Sequence, residues 1–460
     1  MPMIPFATRF PDLALRETRS VEVRGRPDLP DGDYGFIELY CNEDPCDCRR
    51  VIIQVVSLAT GDKVLATIGY GWEPVAFYKK RLHGDRELAK DCKGPSLDPI
   101  NAQSQFAPAL LKLFRIVLQG AGYAQRLERH YRLFKSPLTT VEAILDELGK
   151  STGYFPEDAV ELAIARKDEV TPGLLDILDR CRKNPEAFQK DGSGLAHLYA
   201  MYLLAQFRET RAFPILVDIL RLPKDAVDAL LGDTITEGLA RILASLCGGD
   251  IDPIKRLIED PTVDEWVRGA ALYSISELYF QNLLDRQTVV EYFRHLLTGG
   301  LEQEYNNTWD VLASCMYDMH PGELLDEIRP AYESGFVDPG YVGLDKMESA
   351  ARKSVDAVMD RSREEKYSAG LIDHVSDEMK WWACFKRTPR SDHRSSIAPE
   401  KDKDPGTPQF ADSAPAVQAA PAISRCKPCP CGSGKKYKKC CGKEPQPAGI
   451  KPDGDTAGSS

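Results

Sequence analysis

Two groups of cysteines in this chain have the spacing of metal ligands. Near the C-terminus, Cys429-Pro-Cys431 is followed, after Gly-Ser-Gly-Lys-Lys-Tyr-Lys-Lys, by the adjacent pair Cys440-Cys441. Four thiolates inside thirteen residues can close around one tetrahedral zinc ion. Gly432 and Gly434 let the chain turn tightly after the first pair. Lys435, Lys436, Lys438 and Lys439 offset the negative charge that four thiolates carry beyond what a divalent ion neutralises. The segment has too few apolar residues to fold alone, so the metal would supply its folding energy. Disulfides between such close neighbours would be strained. Four sulfur ligands leave no position for water, which predicts a structural rather than a catalytic ion. Cys426 is near enough to compete but is left outside the shell.

The second group is Cys41-Asn-Glu-Asp-Pro-Cys46-Asp-Cys48. A Cys-x-Cys pair with a third cysteine upstream, on the link between two expected strands, has the form of half a zinc knuckle. Cys46 and Cys48 are its core and Cys41 its third member. Cys92, or alternatively His83, is expected to complete the shell from beyond the sheet. Asn42, Glu43, Asp44 and Asp47 make the loop polar, which argues against ordinary core packing of these thiols.

The C-terminal stretch, from Pro428 to Gly442, resembles the SEC-C module, the short zinc-binding element at the end of the SecA translocation motor and of many otherwise unrelated bacterial proteins. It departs from the commoner form in having Cys441 where histidine often stands; a thiolate remains a competent ligand. The resemblance implies contact with another protein, a chaperone or the ribosome and its nascent chains. The phrases Tyr154-Phe-Pro156-Glu, Ala163-Ile-Ala-Arg166 and Thr171-Pro-Gly-Leu-Leu175, in the block 137–335, resemble an uncharacterised bacterial domain family often followed by SEC-C. Cys46-Asp-Cys48-Arg-Arg50 resembles part of a separate cysteine-bearing domain. Neither brings an activity to transfer.

These groups must be positioned by a chain of 460 residues, long enough for two or three domains. With 43% hydrophobic and 28% charged residues, its composition is that of an ordinary globular protein. A formal net charge of -11 disfavours nucleic-acid binding by the whole surface. A local exception is Arg425 to Lys443, with seven basic residues and no acidic one. Met-Pro-Met-Ile-Pro-Phe lacks the features of a signal peptide, and no apolar run reaches the roughly 20 residues of a membrane span. Thirteen cysteines, the densest of them spaced as ligands, favour a reducing cytoplasm over a disulfide framework.

The expected fold is multidomain and mainly alpha. Residues 1–135 form a small alpha+beta domain carrying the first cysteine group, with 1–31 as an extended arm or edge strand. Strands are predicted over 36–40, 50–58 and 64–68. Gly69 to Trp72 and Pro74 form a turn, and helices follow over 75–88, 104–118 and 123–134. Arg126, Arg129, His130 and Arg132 read as a solvated basic face, with a phosphate or peptide contact as the alternative.

From Thr140 onward the pattern becomes short amphipathic helices, with starts predicted at Thr140, Pro156 and Thr171-Pro172. Paired helices beginning at about 195, 231, 264 and 302 make 136–344 a HEAT-like alpha solenoid. Residues 345–386 are C-terminal helices whose Trp381, Trp382 and Phe385 dock on the solenoid end. Residues 387–424 read as a flexible linker, 425–443 as the zinc module and 444–460 as a disordered tail.

No familiar catalytic arrangement occurs: His-Glu-x-x-His, Gly-x-Gly-x-x-Gly, Gly-x-Ser-x-Gly and a true phosphate loop are all absent. His197 and His295 read as packed or surface histidines. Asp310, Asp318 and His320, and the pair Glu302 and Glu304, invite no catalytic claim. The leading expectation is a zinc-binding protein-interaction adaptor. The alternatives are a metal-dependent hydrolase or transferase with an unrecognised site between the N-terminal cysteine domain and the first helices, which a water-ligated zinc at Cys46, Cys48 and a third ligand would support, and a nucleic-acid or ribosome binder using the basic tail.

Overall fold

The computed structural model describes residues 3–57, 63–189 and 194–385. The expected linker, zinc module and tail lie outside the described residues, which belong to one compact unit.

An antiparallel sheet opens the fold. Its strands are β1 (Met3–Pro5), β2 (Arg19–Val23), β3 (Gly32–Cys41), β4 (Arg50–Ser57), β5 (Val64–Gly71) and β6 (Ser96–Leu97), in the order β1-β3-β4-β5-β6. β2 shares with β1 one edge of β3: Arg19 faces Phe36, and Met3 faces Cys41. Within residues 3–31 the edge-strand alternative therefore holds, for β1 and β2, and the same stretch also contains helix α1 (Pro11–Glu17). Burial of Phe6, Phe10, Leu13 and Ala14 holds them there.

Alternation along β3 gives the sheet two faces. Phe36 and Tyr40 turn towards α4 (Ala107–Leu118) and α5 (Tyr123–Lys135), stacking on Phe114 and packing against Phe134 at 5.8 and 5.6 Å.

Two sequence expectations fail here for local reasons. Gly69-Tyr-Gly71 continues β5 instead of turning. A Cβ at Gly69 would collide with the Arg50 guanidinium, and one at Gly71 with the Tyr78 hydroxyl, so both positions accommodate close side-chain approach. The helix expected over 75–88 is two helices, α2 (Val75–Arg81) and α3 (Arg86–Lys93). Gly84, at φ 93°, breaks the first, and the Asp85 carboxylate caps the second by accepting from the Leu88 amide at 3.0 Å.

The remaining described residues are helical and repeat-like. It contains α6 (Val141–Gly149), α7 (Glu157–Ala165), α8 (Lys167–Lys183), α9 (Glu186–Gln189), α10 (Ala196–Phe207), α11 (Ala212–Leu220), α12 (Lys224–Leu231), α13 (Thr234–Glu237) and α14 (Leu239–Leu246). Then come α15 (Asp252–Glu259), α16 (Glu265–Phe280), α17 (Arg286–His295), α18 (Asn307–Asp318), α19 (Leu325–Glu333), α20 (Leu344–Ala351), α21 (Val355–Glu365) and α22 (Val375–Met379). Helices α8, α10, α14, α16 and α18 pack side by side in that order and form the inner, more deeply buried row. A second row is stitched by α11 against α15, by the Lys255 ammonium over the Tyr292 ring from α15 to α17, and by the 3.0 Å Arg294–Glu327 ion pair from α17 to α19.

Within this array α8 begins at Lys167, not at Thr171-Pro172. Pro172 sits inside it, tolerated because Val170, Leu174, Ile177, Leu178 and Cys181 form one buried stripe through that point. The helix expected from 231 divides at Gly238, where a Cβ would meet the Tyr202 hydroxyl. α18 begins at Asn307 rather than 302, because Asn306 caps it and accepts from the Thr308 amide at 2.9 Å. Glu302 is not on a solvated helix start: it forms a bidentate pair with Arg268, which is 2% exposed.

The C-terminal segment after α21 runs back across the inner row in reverse order. Lys366 binds Asp318 of α18, and Tyr367 stacks on Phe280 of α16 at 4.0 Å. Arg241 of α14 donates to the carbonyls of Ala369, Gly370 and Leu371, and the Ser245 hydroxyl accepts from the Ile372 amide. On α10, Gln206 accepts from the Val375 amide, while Arg208, just past its end, donates to the Ile372 carbonyl. Trp382 packs on Tyr202 at 5.7 Å and Phe385 on Phe155 at 5.5 Å. Trp382 and Phe385 thus dock on the first helices of the array, whereas Trp381 stays 62% exposed.

Candidate metal centre

Cys41 ends β3, and the loop 42–49 carries Cys46 and Cys48 back beneath it. Neighbouring elements shape this loop. The Cys46 amide donates to the Glu43 carbonyl at 3.1 Å, closing a turn. Lys135 of α5 donates to that same carbonyl at 2.7 Å, and Arg9 to the Asn42 side chain at 2.7 Å. Beyond Cys48, the Arg49 side chain pairs with Asp47 and Glu73 at 3.0 and 2.8 Å, while Tyr78 donates to the Arg49 carbonyl at 2.7 Å.

The result is a three-thiol cluster. The sulfurs of Cys41, Cys46 and Cys48 all lie within 4.8 Å of one another, the first buried and the other two half-buried. Tetrahedral sulfurs on one zinc stand about 3.8 Å apart, from the usual metal–sulfur distance of about 2.3 Å. The cluster therefore closes on an ion with small side-chain movements. Burial, then the Cys48 and Cys41 sulfurs beside it, push the Cys46 thiol up to about 12. Burial raises Cys48 as well, against the opposing Arg50 backbone amide, which donates to its sulfur. Three adjacent thiolates resist ionisation together, and a divalent cation is what reverses that penalty.

The structure does not bring Cys92 or His83 into this group. The Cys92 sulfur instead accepts from the Arg50 guanidinium at 3.3 Å, and His83 sits at φ 50° in the link between α2 and α3. Cys429, Cys431, Cys440 and Cys441 lie outside the described residues.

The basic helix α5 is not a solvated face. His130 is 1% exposed, stacked on Phe6 at 4.2 Å and held between two carboxylates, with Nδ1 at 2.7 Å from Glu38 and Nε2 at 3.2 Å from Glu17. Arg129 also binds Glu17, and Arg132 pairs with Glu157 and Asp158. Sequence reading missed this network because Glu17 and Glu38 lie far from His130 in the chain; Glu38, an acid at an inward position of a strand, was the available signal. Beside it, a cavity of about 310 Å³ is lined by Glu17, Arg129, Glu161, Gln206 and His374, among others. His197 is packed, its Nε2 at 2.7 Å from the Leu230 carbonyl. Asp310 and Asp318 have separate partners, in Asp338 and Lys366, and His320 lies 3.2 Å from the Lys353 carbonyl.

A repeat-like helical body of this kind matches one family. The family model described as "Protein of unknown function (DUF1186)" covers residues 139–386, and the chain belongs to that family. A second model, the SEC-C motif, covers residues 427–443. An uncharacterized protein of Chlamydia trachomatis serovar D is 36% identical over 243 residues, 53% of this chain and 95% of that protein. An uncharacterized protein of Chlamydia muridarum is likewise 36% identical over 243 residues, covering 53% of this chain and 96% of its own length. The SecA translocase subunit of Dehalococcoides mccartyi strain 195 is 62% identical over 39 residues, only 8% of this chain and 4% of SecA. No solved structure matches. Among the described residues, no helix is long and apolar enough to cross a membrane.

Proposed function

We propose that this chain is a zinc-binding adaptor that joins two macromolecules, one held by the helical body and one by the basic SEC-C segment. The observation that carries the reading is the way the inner helix row holds residues 366–385. Arg241, Ser245, Arg208 and Gln206 bond to backbone carbonyls and amides of that segment, a mode of recognition that suits extended polypeptide. The SEC-C match supports a second contact, with zinc held by Cys429, Cys431, Cys440 and Cys441. Its resemblance to the end of SecA makes a cytoplasmic chaperone or the ribosome the first partner to try. Ligand-like cysteine spacing supports a reducing cytoplasm.

Zinc-loaded full chain, and the same chain carrying Cys429→Ser and Cys431→Ser, should be tested for binding to purified bacterial ribosomes and to a purified cytoplasmic chaperone at two salt concentrations. The adaptor reading expects one of them to bind through the intact module with modest salt dependence. A steep salt dependence that persists on naked RNA would move the function to the nucleic-acid alternative. Binding by neither, with zinc retained, would remove the carried-over partner class. The alternative of a metal-dependent hydrolase or transferase draws its support from the three-cysteine cluster.

A further inference from the structure

We propose that Cys41, Cys46 and Cys48 hold one zinc ion as a three-thiolate site whose fourth position takes an exchangeable outside ligand, water at rest and a small thiol when one is present. This rests on the metal-binding reading of the cluster and is independent of the SEC-C segment.

The geometry separates Cys92 from the site. Its sulfur is engaged by Arg50, whose guanidinium lies against Gly69 on the sheet, where a side chain would leave no room. The Cys92 carbonyl in turn lies where a Cβ at Gly71 would stand, so α3 is seated closely on β5. Moving the Cys92 sulfur to the cluster would cost the Arg50 contact and disturb this seat. The three clustered thiols are positioned by β3 and by a loop fastened to α5 and Arg9, so they need no movement of α3.

Charge and chemistry define the ligand. Three thiolates and Zn²⁺ leave one net negative charge, which the Lys135 ammonium and the Arg50 amide beside Cys48 moderate. Three protein ligands with an open position are the pattern of reactive zinc, whereas four are the pattern of structural zinc. A thiophilic ion already bearing sulfur ligands accepts a further thiolate readily. Exchange balances simply: the incoming thiol gives its proton to solvent, its sulfur bonds the metal, and the bound water leaves. No electron is transferred.

The test uses the full chain with Cys429→Ser and Cys431→Ser, so that the SEC-C segment contributes no metal. X-ray absorption at the zinc edge should count three sulfurs and one lighter atom, and the cobalt-substituted protein should show tetrahedral bands that shift saturably with 2-mercaptoethanol. Adding Cys92→Ser should leave metal content and bands unchanged, while Cys46→Ser should lose the ion. Circular dichroism of metal-free Cys46→Ser checks that lost binding is not lost folding. Four sulfurs, loss of the ion with Cys92→Ser, bands indifferent to thiol, or no bound ion would each overturn the proposal. None of these outcomes bears on partner binding by the SEC-C segment, whose failure is read in the ribosome and chaperone experiments.

Discussion

His130 Nδ1 stands 2.7 Å from a carboxylate oxygen of Glu38, under the sheet and out of contact with water. Its other nitrogen reaches Glu17 of α1, so one imidazole ring fastens the N-terminal helix, the central strand and α5 to one another. Tyr40 donates to the same Glu38 oxygen at 2.9 Å, and Arg129 shares Glu17. Burial works against the charged ring, but the hydrogen bonds and charges of Glu17 and Glu38 prevail and raise its pKa above 6.5.

A pH dependence follows from that sign. A raised histidine pKa contributes stability that is complete below the unfolded value and lost as pH rises through the folded value. Glu17, at about 2, acts oppositely: despite opposing desolvation, the His130 and Arg129 bonds lower it, and its contribution is lost as pH falls from 4.5 towards 2. Glu277, raised by burial to about 7, destabilises as pH rises from 4.5 to 7 and would blur a single titration. The expected result is therefore a difference. The melting temperature of the wild type should fall more than that of His130→Gln as pH rises above neutrality, and His130→Gln should cost about 3–5 kcal/mol at pH 6. Equal slopes would show that the ring is neutral.

Arg268 offers a second buried charge with one carboxylate partner. It is 2% exposed, donates through Nε to the Ile258 carbonyl at 2.8 Å, and grips Glu302 with both terminal nitrogens. Glu302→Ala should destabilise by about 3–5 kcal/mol in denaturant melts, because it strands a buried guanidinium. The double change Glu302→Ala with Arg268→Met should recover part of that loss. No recovery would mean that the pair's loop geometry, rather than its charge, holds α18 in place.

The three central strands of the sheet, the change to helical grammar near Thr140 and the repeat-like pairing were legible because each is written in local periodicity and caps. Breaks imposed from far away were not. Gly238 divides a continuous apolar run because Tyr202, 36 residues upstream, occupies the space a side chain would need. Thr171-Pro172 looked like a helix start because proline favours one, yet the buried stripe around it outweighs one missing hydrogen bond. At the candidate site, Cys41, Cys46 and Cys48 were readable from spacing. Their separation from Cys92 depends on Arg50 lying over a glycine across the ladder, which no one-dimensional pattern carries.

Arg241 fixes the C-terminal segment by five bonds, two of them to Glu378 at 2.6 and 2.9 Å. Arg241→Ala should raise amide hydrogen exchange across 367–379 by one to two orders of magnitude, from a local loss of about 1.4–2.8 kcal/mol. Exchange in α16 and α18 should stay slow. Acceleration throughout the body would show that the segment is part of the folding core, not a separately held strand of chain.

The two cysteine groups make one countable prediction. If each holds an ion, zinc per purified chain, measured by elemental analysis under reducing conditions, should fall from two equivalents to one on truncation after Arg387. The loss should leave the thermal transition of the helical body unchanged, since the SEC-C match begins only at residue 427. Cys46→Ser in the full chain should also give one equivalent, by removing the other ion, and combining it with the truncation should give none. A fall from one to zero on truncation alone would reduce Cys41, Cys46 and Cys48 to loop thiols. Retention of two equivalents without the SEC-C cysteines would place both ions in the body and take the metal out of the adaptor's second contact.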